Sequence, residues 1–267
     1  MFRTVLAALL AIVFCGGSAS GEIIYYEEGF SSNLYRFDTS TATNSFIGNM
    51  GVGLSWGFAF SPSGTLYGIT TDNGNLYTIN TSTAALTLIG GTGVRSEALT
   101  FNLAGNVLYA NNGNQLFAIN PTNGNATLLG LLNTIPDALT VTPVPLTIQG
   151  VGNMPAGTIL AVDSGALSII NVAIPSATPV GSIPADEAFD FASNGTLYGH
   201  ADDGKFYRIG LDTLNSVVIG NSTPFNVFAM AVQPSAQVTE VPEPASLALW
   251  SLLGVAALAA WRRRGSA

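Results

Sequence analysis

The chain is poor in charge and almost without the side chains that carry covalent or metal chemistry. Of its 267 residues 9% are charged, one is cysteine and one is histidine. A single histidine, His200, excludes a two-histidine metal site or a histidine relay within one chain. It follows Leu197-Tyr198-Gly199 at the end of an apolar run, which predicts a surface or hairpin role rather than a base. The only cysteine, Cys15, lies in an N-terminal apolar stretch. Once that stretch is removed, the remainder has no disulfide, thiol nucleophile or cysteine ligand, and its core must hold it together unaided. No phosphate-cradling GxxxxGK[ST] loop and no Gly-x-Ser-x-Gly elbow occurs. Basic residues are scarce as well: between Glu22 and Glu240 fifteen acids face Arg36, Arg95, Lys205 and Arg208, a balance of −11. Such a surface repels nucleic acid and suits cations or basic partners.

What the chain has is hydrophobicity, at 48%, and 30 glycines. Residues 1–21 read as a signal peptide, with Arg3, an apolar run from Val5 to Phe14 and small residues Gly16 to Ser20 before the cut. Bulky Phe14 ahead of Cys15 argues against lipoprotein-type processing. From residue 22 to 232 four short apolar runs recur. The second run appears as Ile24-Tyr25, Leu66-Tyr67, Leu108-Tyr109, Ile159-Leu160 and Leu197-Tyr198, at spacings of 42, 42, 51 and 38 residues. The third is Leu76-Tyr77-Thr78-Ile79 and its copies, and the fourth ends in Gly48, Gly90, Gly130, Gly181 and Gly220. Asp72-Asn73-Gly74-Asn75, Asn111-Asn112-Gly113-Asn114, Asp163-Ser164-Gly165 and Asp202-Asp203-Gly204 supply hairpin turns, since Asn, Asp and Gly tolerate positive φ.

A period near forty with four strands per unit predicts an all-β, five-bladed β-propeller. The first run carries the large residues Phe58, Leu99, Leu139, Phe189 and Met230 with small ones between, which places it innermost. The domain opens on a second-run strand, Ile23 to Tyr26, and ends on a first-run strand, Phe228 to Val232. The two complete one blade by 3+1 closure, removing two free sheet edges. Thr142 to Pro155 is an insertion, expected to protrude as a loop.

After a polar linker, 233–241, the chain reads Pro242-Glu243-Pro244, then an uncharged run of membrane-helix length at 245–261, then Arg262, Arg263 and Arg264. Residues 242–267 closely resemble the PEP-CTERM sorting signal of Gram-negative bacteria. The resemblance implies a protein exported to the cell envelope, surface or extracellular space and transiently anchored in the inner membrane. It also implies cleavage near Pro-Glu-Pro by an exosortase and association with exopolysaccharide and biofilm matrix. The repeats resemble a class of secreted bacterial propellers with LYxIN(P/T)xTGxxxxIG blades.

Glu97, Asp137 and Glu187 stand at the starts of three innermost strands, where propeller topology gathers them at one mouth of the channel, with Asp190 three residues further along one strand. Two readings stand open: solvated carboxylates capping loop amides, or a hard-cation site with oxygen ligands suited to Ca2+. Two functions follow. The first is a non-enzymatic propeller displaying loops to polysaccharide or protein partners, with no nucleic acid; the alternative is a metal-dependent hydrolase or lactonase using the channel acids.

Overall fold

The structure is a computed structural model that describes residues 21–28, 31–52, 55–96, 98–186, 188–223 and 227–235. Residues 1–20, Glu97, Glu187, linker residues 236–241 and the tail 242–267, with the run 245–261, lie outside the described residues. Among the described residues there is no helix.

Five four-stranded antiparallel sheets form the blades. The closing blade holds β1 (Ile23–Glu28), β2 (Asn33–Asp38) and β3 (Thr43–Asn49). The second blade is β4 (Ser55–Phe60), β5 (Leu66–Thr70), β6 (Asn75–Ile79) and β7 (Leu86–Gly91). The third is β8 (Leu99–Phe101), β9 (Leu108–Asn112), β10 (Gln115–Ile119) and β11 (Ala126–Leu131). The fourth starts with β12 (Ala138–Val141), detours through a hairpin of β13 (Leu146–Ile148) and β14 (Gly152–Met154), and resumes with β15 (Ile159–Asp163), β16 (Ala166–Asn171) and β17 (Ser176–Ser182). The fifth is β18 (Ala188–Phe191), β19 (Leu197–Ala201), β20 (Lys205–Gly210) and β21 (Asn215–Asn221). The last strand, β22 (Val227–Val232), pairs with β1, Ile24 opposite Val232 and Tyr26 opposite Met230, so the closing blade has the expected 3+1 order. Strands β22, β4, β8, β12 and β18 each touch the next around the axis, and the ring closes from β18 back to β22.

Local chemistry explains the strand ends. Gly74, Gly113, Gly165 and Gly204 sit at φ between 55° and 82° in the hairpins joining second and third strands. The Asn of the LYxIN pattern forms an Asx turn at the next corner: Asn80 Oδ1 accepts the Ser82 amide at 2.9 Å, and Asn120 accepts that of Thr122 at 2.9 Å.

The core consists of five apolar clusters, one between each pair of adjacent blades. In each, large residues of one innermost strand pack on small ones of the preceding blade: Phe58 and Phe60 on Ala229 and Ala231, Leu99 and Phe101 on Ala59, Leu139 on Ala98, Phe189 on Ala138, Met230 on Ala188. The outer strands reach the same clusters through a bulge. Register shifts in every third-to-fourth pairing, and the bulged residue, Ile47, Ile89, Leu129, Val180 or Ile219, joins the cluster facing the next blade. The glycine that follows lies against the next blade. A Cβ on Gly90 would stand 2.4 Å from the Asn123 carbonyl oxygen, and one on Gly220 would stand 2.6 Å from the Phe37 ring. The repeated apolar-Gly pair is therefore an inter-blade contact as well as a strand end.

The insertion does not protrude as a loop. Its hairpin folds back onto the fourth and fifth blades with Ile148 buried and the Gln149 amide bonded to the Leu211 carbonyl, because Leu146, Ile148 and Met154 extend an apolar cluster already present.

Candidate functional site

All five innermost strands run the same way along the axis, so their starts gather at one mouth and their ends at the other. At the first mouth Phe58, Leu99, Leu139, Phe189, Phe228 and Met230 close the axis to a void of about 10 Å3. Asp137 is half-buried there, and its Oδ2 accepts the Ser164 amide at 2.7 Å. Burial pushes its carboxyl up, the Ser164 bond opposes this, and Asp163, Asp186 and Asp202 add to the rise. Asp186 repeats the device one blade on, taking the Asp202 amide at 3.1 Å. Asp137 thus caps a loop amide; Glu97 and Glu187 lie outside the described residues. Among the described residues, no three His, Cys, Asp or Glu side chains are grouped so as to hold a metal ion.

The opposite mouth opens into a cavity of about 460 Å3. Its rim comes from segments far apart in sequence: Ser61 to Gly64, Asn102 and Leu103, Pro143 and Val144, Ser193, and Pro234 and Ser235. Asp190 lies on its wall. Along the innermost strands Asp190 occupies the place held by Ala59, Thr100, Thr140 and Ala231 in the other blades. Its Oδ1 accepts the Thr140 hydroxyl at 2.7 Å and its Oδ2 accepts the Val232 amide at 2.9 Å, so one carboxylate ties the fourth, fifth and closing blades together. Protein surrounds it, yet it retains accessible surface because it faces the cavity. Desolvation pushes its pKa up to about 6 against the lowering effect of bonds from Thr140, Val232 and Phe191. It is therefore ionised at neutral pH and takes up a proton in mild acid. Sequence reasoning noted Asp190 only as a neighbour of the strand-start acids. The available signal was its position, the one charged residue where the other blades carry Ala or Thr.

His200 is not at the surface. Second strands are covered by blades on both faces, and every residue of β19 is buried. Its Nε2 lies 3.0 Å from the Ser222 hydroxyl and its ring meets Phe206 edge-on. Burial holds its pKa down at about 4, against the pull of Asp203 and Asp202, so the ring is neutral and serves packing. A second hollow, about 540 Å3, opens between the third and fourth blades beside Met154, and among the described residues no acidic or basic side chain lines it.

A family model described as the PEP-CTERM protein-sorting motif matches residues 240–264. No curated protein matches the chain. Solved structures do. One, described as "The de novo evolutionary emergence of a symmetrical protein is shaped by folding constraints", is 21% identical over 81% of this chain and 100% of that one, with a TM-score of 0.51. Another, described as "Crystal structure of Nidogen/Laminin Complex", is 12% identical over 80% of this chain and 86% of that one, with a TM-score of 0.49. At these identities the first likeness concerns the fold alone. Behind a five-bladed β-propeller this chain carries a PEP-CTERM sorting motif, which marks it for export with a membrane-anchored C-terminus ahead of exosortase processing.

Proposed function

We propose that the protein is an exported, non-enzymatic binding module whose propeller presents the loops around the axial cavity to a polysaccharide or protein partner at the cell surface or in the extracellular matrix. The observation that carries this reading is the cavity itself. It is open at one mouth, rimmed by Ser, Asn and Pro from five separate segments, and lies within the common size range for ligand sites, roughly 300–1,000 Å3. The sorting motif supports it by delivering such a surface outside the cell. The test is retention of the secreted protein on matrix preparations and glycan arrays. Reproducible capture that free glycan competes away supports the reading, and consistent absence of capture overturns it. Purified protein that holds stoichiometric metal and turns over lactone or ester substrates would replace it with the hydrolase alternative.

A further inference from the structure

The fold does not require a carboxylate at residue 190. Four other blades build the same innermost strand with Ala59, Thr100, Thr140 or Ala231 in that place. A charge withdrawn from water is costly unless a counter-charge or several donors meet it. Asp190 receives two donors in hydrogen-bond geometry, the Thr140 hydroxyl and the Val232 amide, and both are neutral. An ionised carboxylate offers about four lone-pair positions, more than these two donors fill, and it faces the cavity. Among the described residues the other side chains lining that cavity are uncharged, with hydroxyls and an amide from Ser61, Ser63, Asn102 and Ser193 towards the rim. Negative charge at depth with neutral polar groups at the mouth fits a ligand carrying one ammonium within a hydroxyl-rich body. The ammonium makes a charge-assisted bond to the carboxylate, and the hydroxyls exchange hydrogen bonds with the rim. The domain's surplus of acids draws such ligands in from a distance. An N-acetylated sugar has no charge to offer and brings an acceptor carbonyl towards the carboxylate.

We infer that the axial cavity binds an amino sugar with a free ammonium group, as in a partly de-N-acetylated polysaccharide, with Asp190 as its counter-ion. This rests on the reading of the propeller as a polysaccharide-binding module. Titration calorimetry on the secreted protein tests it with the β-1,4-linked disaccharide of glucosamine and with its N-acetylated counterpart. The amine form binds more tightly by about tenfold or more, the effect of one charge-assisted hydrogen bond. Asp190→Asn keeps the size and an acceptor for the Val232 amide, and it removes that preference. Ser193→Trp narrows the mouth without touching Asp190 and weakens the amine disaccharide even if the first variant fails to fold. Equal affinity of wild type for the two disaccharides, or no binding of either, overturns the inference, as does undiminished amine binding in a folded Asp190→Asn or in Ser193→Trp. In those cases matrix retention decides separately whether the broader binding reading stands.

Discussion

Two ionisable side chains inside the propeller respond to acid in opposite directions. His200 titrates at about 4 in the folded chain against 6.5 for an ordinary histidine, so the unfolded chain takes up the proton first. Its contribution to stability is present above 6.5 and is lost as pH falls through about 4. Asp190 titrates at about 6 against 3.8, so the folded chain takes up the proton first. Its contribution is fully present below 3.8 and is lost as pH rises through about 6. Each shift is worth at most roughly 3 kcal/mol at about 1.4 kcal/mol per unit. Urea denaturation at a series of pH values from neutral to mildly acidic checks this. Relative to wild type, Asp190→Asn loses stability more steeply on acidification, and His200→Gln loses it less steeply. Parallel profiles for all three proteins would contradict these assignments. The sequence showed both residues but not their surroundings. The environment of Asp190 depends on Thr140 and Val232, contacts that exist only once separate blades meet. That of His200 depends on Phe206, opposite it on the neighbouring strand, and on Ser222 beyond the last strand, contacts that exist only once the fifth blade has formed.

The strands and turns were largely legible because each has a local cause: apolar runs of strand length, Asn-Gly hairpins and Asx corners. The bulge was not, since Ile89-Gly90 reads as the end of a strand until register shows Ile89 unpaired and turned towards the third blade. This gives a contrast between two adjacent glycines. Gly90→Ala forces a Cβ to 2.4 Å from the Asn123 carbonyl oxygen, whereas a Cβ on Gly91 meets only Asn75 Oδ1, at 3.4 Å. Overpacking of the first kind costs roughly 1–3 kcal/mol. Thermal denaturation therefore shows a lowered midpoint for Gly90→Ala and little change for Gly91→Ala, and equal midpoints would count against the inter-blade contact. The closing strand makes a larger claim. Val227, Met230 and Val232 are at most 3% exposed, while Phe228 is only half-buried at the axial constriction. Full burial of each such side chain is worth about 1.5–3 kcal/mol. Ending the chain before Val227 removes all three and uncovers the edge of β1, a loss comparable to a whole domain's margin of about 5–15 kcal/mol. The truncated protein unfolds as a unit, and a truncation melting at the wild-type temperature would break the closure argument.

For the molecule as a whole, the repeat and its orphan first and last strands made the ring legible, because a ring is what joins them. The repeat groups the rim positions, since residues near 61, 102, 143, 193 and 234 each follow the end of a first-run strand, but the depth and size of the cavity depend on how the blades pack and were not legible. The chain leaves the propeller at that rim, and six residues, 236–241, separate Ser235 from Pro242, a reach of about 20 Å when fully extended. A membrane span at residues 245–261, as the sequence predicts, would hold the cavity mouth close to the membrane until the tail is cut. Intact-mass measurement of secreted protein should find Pro242 to Ala267 absent, and Glu243→Gln should leave unprocessed chains, arginines included, in the inner membrane. Released protein that keeps Arg262, Arg263 and Arg264 would contradict this route. The most direct test of the binding role is hydrogen exchange on the processed protein with and without matrix polysaccharide from its own host. Slowed exchange is expected in the cavity rim alone, in residues 61–65, 102–107, 142–144 and 192–196. Protection at the opposite mouth, around 72–75, 111–114, 163–165 and 202–204, or no protection at all, would contradict it.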